Sequence, residues 1–396
     1  MVDHRTAIDF EAFDADNHYY EAEDAFIRHV DPEMHKRCMQ WADIGGRRRL
    51  LVAGRVNRFI PNPTFDPVAR PGVLDQYFRA KTAVSDMRQA FGELEPISPA
   101  YRDRDARIAL MDNQGLASAF LFPTLGVGME AALEHDLEAM LAAFRGFNRW
   151  LVDDWGFAHR GRLFASAYLT LADPDWAIDE LDWALANDVR VVNIRPTSVV
   201  DGASGRRSLG HPLHEPFWRR VNDSGVTVAM HSGDSGYGFM KTHWGRGAEF
   251  ESFRYDPLAA LLTFSPISDA IASLLAEGVL VANPHIRVAT IETGSSWVRP
   301  LFEKLSKTYG QHRSAFAEDP CETFARQVFV SPYYEDDIGG LAGMVGTDHI
   351  LFGSDYPHAE GLADPLSFVA DLDGFDDAAV RAIMRDNGLA LTTRAG

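Results

Sequence analysis

The chain has 396 residues, 46% apolar and 24% charged, the composition of a soluble globular protein with a sizeable core. A formal net charge of -19, with Lys and Arg scattered rather than clustered, repels phosphate backbones and excludes nucleic acid as an expected partner. Two cysteines, Cys38 and Cys321, exclude a disulfide framework and a thiolate zinc site, and they fit a reducing cytoplasm.

The opening Met1-Val2-Asp3-His4-Arg5 lacks the basic region and apolar core of a signal peptide. No apolar run reaches membrane-spanning length, so a cytoplasmic protein without a membrane partner is expected. Ile8 to Asp16 predicts a first strand ending near Asp16 to His18. Residues 20–100 lack a clean alternation of elements and hold Pro61, Pro63, Pro67, Pro71, Pro96 and Pro99 besides the basic run Arg47-Arg48-Arg49. They read as an irregular insertion, a lid or subdomain within one domain spanning 1–396, with a short hairpin around Arg49 to Val56. The same segment could supply a homodimer surface.

From Asp103 the pattern becomes regular. Asp105 to Gln114 has helical spacing, Gly115 stops it, and Ala117 to Phe122 reads as a strand. Glu134 to Trp155 is a long amphipathic helix, Leu163 to Leu169 a strand, and Asp173 to Ala186 a helix with Pro174 in its first turn. Val189 to Ile194 is a strand ending at Arg195, Pro212 to Asn222 a helix, and Val226 to His231 a strand. A second, lid-like insertion over residues 233–262 carries Tyr237, Phe239, Trp244, Phe250, Phe253 and Tyr255. Ser268 to Ala276 is helical, Ile286 to Glu292 a strand, Trp297 to Tyr309 a helix, Gln327 to Ser331 a strand and Glu335 to Val345 a helix. His349 to Asp355 is the last strand, and two closing helices run near Leu366 to Leu372 and Ala378 to Leu391.

The strands, near residues 13, 119, 166, 191, 228, 289, 329 and 352, are apolar runs mostly followed by helices, the pattern of a parallel sheet covered by helices. Eight such units predict an α/β fold, a (β/α)8 TIM barrel with a long insertion after strand 1 and a lid-like insertion after strand 5. No glycine fingerprint follows the first strand, which disfavours a dinucleotide-binding fold.

Barrel enzymes place chemistry at the C-terminal ends of strands. There the sequence sets Asp16 and His18, Arg195, His231, Glu292 and Asp355, a mixed N/O set suited to Zn, Mn or Fe. Each has a plainer reading: His231 a hydrogen-bonded core histidine, His18 and Asp355 caps after a strand, Asp16 displaced by Asp14 if the strand slips register. Arg195 either binds a substrate carboxylate in a bidentate fork or neutralises an acidic mouth. His358 and Glu360 either contact substrate or lie in a solvated loop, and His211 and His214 are given no metal role. The aromatics of 237–255 read as lid packing; lining the site instead, they would make the substrate bulky and apolar.

Four stretches in register resemble the amidohydrolase superfamily, and within it the amidohydrolase-2 group of metal-dependent hydrolases and decarboxylases, which includes aminocarboxymuconate-semialdehyde decarboxylase. They are Asp14-Ala15-Asp16-Asn17-His18-Tyr19-Tyr20-Glu21, Ala229-Met230-His231-Ser232-Gly233, Thr290-Ile291-Glu292-Thr293-Gly294-Ser295-Ser296-Trp297 and Phe352-Gly353-Ser354-Asp355-Tyr356-Pro357-His358. The resemblance implies one or two divalent ions on Asp16, His18, His231 and Asp355, with Asp355 as ligand or proton acceptor. Glu292 departs from the pattern, because many members carry a His there. A carboxylate at that position could bridge two metals, accept a proton or support another ligand, and it puts simple decarboxylation in doubt.

The expected function is therefore a metal-dependent hydrolase or carboxy-lyase acting on a small organic acid, amide or lactone, with Asp355 or Glu292 moving the proton. Two alternatives stand beside it. One is a non-haem iron or di-iron O2-dependent monooxygenase on an amidohydrolase-like fold, in keeping with the carboxylate-rich set. The other is a barrel that has lost catalysis and serves as a binding scaffold.

Overall fold

The computed structural model describes residues 8–394 except 82, 85–86, 202–204, 248–255 and 263. Phe250, Phe253 and Tyr255 of the second insertion, and the opening Met1 to Arg5, lie outside the described residues.

Strands with apolar side chains on both faces form two parallel sheets. In the first, β1 (Ala12–Tyr19) pairs with β5 (Leu116–Pro123), which pairs with β6 (Leu163–Ala165). In the second, β7 (Ala167–Leu169), β8 (Val191–Ile194), β11 (Thr227–His231), β12 (Arg287–Ile291) and β13 (Val328–Val330) lie side by side in that order. The strand expected over Leu163–Leu169 is thus broken at Ser166. One half joins each sheet, and the Ser166 N–H still donates to Leu121 O at 3.0 Å.

The last expected strand, His349–Asp355, is not regular: Thr347–His349 is a 3-10 turn and the residues after it extend irregularly. They are nonetheless bonded on both sides. Leu351 N–H donates to Val330 O at 2.9 Å, while Ala15 N–H donates to Phe352 O at 2.8 Å and His18 N–H to Tyr356 O at 2.7 Å. Two packed layers follow. Inside the curve of the sheets lie Phe13, Phe120, Phe122, Phe164, Val191, Ala229, Ile291, Phe329 and Leu351, with Leu391 of the C-terminal helix sealing one end. Outside, a larger core fills the space between sheets and helices.

The helices start where carboxylates cap them. Asp103 accepts from Ala106 N, Asp173 from Trp176 N, and Gly115 at φ 74° closes the helix Arg104–Gln114. Asp136 accepts from Ala139 N, so the long helix starts at Leu137 instead of Glu134, after a separate turn over Met129–Leu133. Asp337 likewise delays the helix expected from Glu335 to Ile338.

The first insertion contains the antiparallel sheet of β2 (Met39–Ile44), β3 (Arg47–Val52) and β4 (Arg55–Val56), larger than the single hairpin expected. Gly45 and Gly46, at φ 60° and 72°, make its first turn in a conformation that glycine adopts without steric cost. A short antiparallel pair, β9 (Val199–Val200) with β10 (Arg206–Arg207), was not expected. Among the described residues no helix is long and apolar enough to cross a membrane.

Candidate metal centre

The centre begins with an irregularity in β1. Asp14 and Asn17 pair with Ala119 and Leu121, so three steps on β1 match two on β5. Such a bulge re-aims the side chains that follow it. Asp14 is turned into the backbone beside the centre, accepting from Asp16 N at 3.1 Å, Asn17 Nδ2 at 2.8 Å, Ser354 N at 2.9 Å and Ser354 Oγ at 2.5 Å. Burial outweighs these bonds and pushes its carboxyl up to about 6. Asn17 points away and accepts from Arg107. Asp16 and His18 face the cavity.

Five of the expected residues converge there. His18 Nε2 lies 3.2 Å from Asp16 Oδ1, 3.3 Å from Asp355 Oδ1 and 3.3 Å from His231 Nε2. His231 Nε2 lies 3.5 Å from Asp16 Oδ1 and 3.2 Å from Glu292 Oε2. Two ligands each ~2.1 Å from one ion stand roughly 3.0–3.5 Å apart, so this spacing fits a shared cation. Asp16 Oδ1 is buried and has no hydrogen-bond partner. A buried acceptor left orphaned in this way is costly unless something else satisfies it.

The backbone sets the imidazole tautomers. His18 Nδ1 lies 3.2 Å from Pro123 O and His231 Nδ1 lies 2.6 Å from Ser232 O. A carbonyl only accepts, so each Nδ1 carries a proton and each ring turns its Nε2 inward. Burial, with His358 adding to it, pulls His18 down to about 3, so it stays neutral. Burial also disfavours charge on His231, but Asp16 and Glu292 beside it more than compensate and raise its pKa. Burial and the neighbouring carboxylates hold Glu292 and Asp355 well above the usual carboxylate range. Crowding of this kind is what a bound cation relieves.

Glu292 and Asp355 share a backbone feature, since both sit in the left-handed region, at φ 51° and 54°. Non-glycine residues there cluster at functional sites. Glu292 is held by the Tyr333 phenol, which donates to its carbonyl at 2.8 Å. Asp336 Oδ2 accepts from Ser295 N at 2.6 Å and from Tyr333 N at 3.0 Å, tying the loops after β12 and β13 together.

His358 lines the same cavity. Its Nδ1 is 2.6 Å from Asp355 Oδ1 and its Nε2 is 2.9 Å from Thr124 Oγ1. Thr124 donates its hydroxyl proton to Tyr19 O at 2.9 Å, so it accepts from His358 Nε2–H. A proton then bridges His358 Nδ1 and Asp355. Burial lowers His358, and burial with the neighbouring carboxylates raises Asp355.

Arg195 does not line the cavity. Glu134 takes its guanidinium and Glu130 lies 3.9 Å from its Nε, because the turn after β5 brings both carboxylates over it. His211 caps the turn before its helix through Leu213 N, and His214 bonds Leu209 O. Tyr237, Phe239 and Trp244 do not line the cavity either. Tyr237 donates to Asp269, while Phe239 and Trp244 are exposed.

The cavity, about 1080 Å³, is roofed by the first insertion, with Phe59, Ile60, Phe65, Val68, Phe91 and Leu94 in its wall. Thr124 and Tyr333, which the sequence reading missed, lie one and three residues past the ends of β5 and β13. The strand-end criterion that picked out Asp16 and His231 reaches both. The roof residues carried no comparable signal.

The amidohydrolase family model matches residues 95–391. Among solved structures, an amidohydrolase from Mycobacterium avium subsp. paratuberculosis K-10 is 42% identical over 98% of both chains, with a TM-score of 0.92. A dihydroxybenzoic acid decarboxylase from Polaromonas sp. JS666, with bound manganese and 2-nitroresorcinol, is 14% identical over 97% of both chains, with a TM-score of 0.58. A 5-carboxyvanillate decarboxylase from Novosphingobium aromaticivorans, complexed with manganese and a nitrobenzoic acid, is 16% identical over 97% and 96% of the two chains, with a TM-score of 0.57. No curated protein matches in sequence.

Proposed function

The chain belongs to the amidohydrolase family, and on that premise we propose that it is a divalent-metal enzyme that hydrolyses or decarboxylates a small organic acid, amide or lactone. One observation carries the reading: two imidazole Nε2 atoms, 3.3 Å apart, face a buried Asp16 oxygen that has no hydrogen-bond partner. Side chains serving only as structure would not be left in that state. We read the two parallel sheets, joined through Ser166 and residues 350–356, as one (β/α)8 barrel. On this reading, 1–396 is a single domain and 20–100 is its lid.

The residues fit a cation held by Asp16, His18, His231 and Glu292, with Asp355 beside them. The mixed N/O set suits manganese, zinc or iron, and manganese accompanies two decarboxylases of the same fold. When bound, a divalent ion there lowers the pKa of water and polarises a carbonyl or carboxylate. The carbonyls of Pro123 and Ser232 orient the two imidazoles. Asp355 and His358 hold one proton between Oδ1 and Nδ1, within reach of a group on the cavity floor. Glu292 Oε2, 3.2 Å from His231 Nε2, completes the donor set on the same floor. The apolar roof keeps bulk water from the reacting group.

Metal analysis of the purified protein tests this, followed by chelation, Mn2+ reconstitution and assay against hydroxybenzoates, lactones and amides. The expected result is a stoichiometric divalent ion and activity that disappears with chelator and returns with Mn2+. Failure to bind any divalent ion would sink the proposal. Two irons per chain with O2 consumption would replace it by the oxygenase reading, to which the carboxylate-rich donor set also lends itself.

A further inference from the structure

The cavity divides by chemistry. Its floor carries Asp16, His18, His231, Glu292, Asp355 and Glu360, whereas among the described residues of 58–94 that line it only Arg58 and Asn62 are polar. The one amide in that wall, Asn62, is already committed: Nδ2 donates to Pro67 O at 2.9 Å and Oδ1 accepts from Thr64 Oγ1 at 2.8 Å. It offers a ligand little polar recognition. Two wall residues also leave large apolar surface in water, Phe78 at 40% and Leu94 at 52% exposed. The volume, about 1080 Å³, matches the top of the range of roughly 300–1,000 Å³ seen for whole drug-sized ligands. A single hydroxylated ring held at the floor would leave most of that wall uncovered.

We propose that the first insertion builds a compartment for the apolar body of an amphiphilic substrate, whose carbonyl or carboxyl head meets the polar floor. The substrate class is then an acid, ester, amide or lactone carrying a long or multi-ring hydrocarbon portion. The insertion after β1 selects it, whereas Tyr237, Phe239 and Trp244 after β11 do not line the compartment. Bound apolar matter would cover Phe78 and Leu94, and the gain grows with each methylene buried. The head-group assignment rests on the metal reading above. The body compartment does not.

A series of 4-alkylbenzoates, from methyl to octyl, titrated by calorimetry into Mn2+-loaded protein and into chelator-treated protein, tests the inference. In the loaded protein, affinity should rise about threefold to fourfold per added methylene over the first several carbons. Phe78→Ser/Leu94→Ser, both at exposed positions that should tolerate polar side chains, should weaken the octyl member about tenfold and leave the methyl member and Mn2+ affinity within about twofold. A flat affinity across the series, or no binding of its long members, overturns the proposal. If Mn2+ does not bind but the chain-length dependence persists in chelator, the metal reading fails and the compartment stands.

Discussion

The phenol of Tyr333 donates to the backbone carbonyl of Glu292 at 2.8 Å, so a side chain beyond β13 braces the carboxylate-bearing residue at the end of β12. Glu292 needs that support, because a left-handed backbone costs a non-glycine residue about 1–2 kcal/mol. The Tyr333 ring also packs so closely over Gly294 that a Cβ there would come within 2.6 Å of it. Tyr333→Phe keeps the packing and removes only the donor, a net loss of about 1 kcal/mol. Mn2+ affinity measured by calorimetry should fall about fivefold, with the melting temperature little changed. Unchanged affinity would mean that the bond does not position Glu292.

Gly353 lets the last extended segment press against β1. A Cβ built there meets Asp16 Cβ at 2.6 Å and Ser331 Oγ at 2.7 Å. Asp16 cannot retreat far, since it lies in a bulged, fully buried strand. Gly353→Ala should cost about 1–3 kcal/mol in a denaturant titration. It should also weaken Mn2+ binding, because the displaced atom carries the Asp16 carboxylate. A variant with parental stability and affinity would contradict this crowding.

Much of this was legible in the residues before any coordinates. Apolar runs ending in Asp16, His231 and Glu292 marked strand ends because burial on both faces leaves no other use for such runs. Irregular backbone was not legible. The segment from Ile350 to Tyr356 keeps strand-like hydrogen bonds to both neighbours, but Gly353 and left-handed Asp355 break its regularity. Periodicity carries no trace of that. The bulge that separates Asp14 from Asp16 was hidden for the same reason, since it depends on the register against Ala119 and Leu121. The setting of Arg195 was not legible either, because its partners, Glu130 and Glu134, come from a turn more than sixty residues earlier.

Glu21 predicts a pH dependence. Its buried carboxylate accepts from Leu125 N at 2.9 Å and Gly126 N at 2.9 Å, yet burial outweighs these bonds and raises its pKa from 4.5 to about 7. A carboxyl whose folded pKa is raised binds more proton folded than unfolded between those values. Its contribution is full below pH 4.5 and is lost as pH climbs through 7. The shift corresponds to roughly 3 kcal/mol. Glu21→Gln removes the titration, so parental stability minus variant stability should decline from pH 5 to pH 8 in parallel denaturant titrations. Parallel stability curves across that interval would rule the effect out.

Arg107 secures the base of the centre from behind. It is fully buried, and it donates through Nε to Ala100 O at 2.7 Å, through Nη2 to His18 O at 2.7 Å, and through Nη1 to Asn17. Burial lowers its pKa to about 10, which still leaves it charged at neutral pH. Three acceptors in different directions suit the planar fork of a guanidinium, and one ammonium cannot reach them all. Arg107→Met leaves the His18 carbonyl and the Asn17 amide oxygen without their donor and should cost about 3 kcal/mol. Arg107→Lys should lose about 1–2 kcal/mol, and it should also lower Mn2+ affinity, because His18 hangs on the strand end that Arg107 fixes. Denaturant midpoints at constant slope, read beside Mn2+ titrations, separate the two effects. If the Lys variant keeps full Mn2+ affinity while losing stability, Arg107 supports the fold and does not position His18.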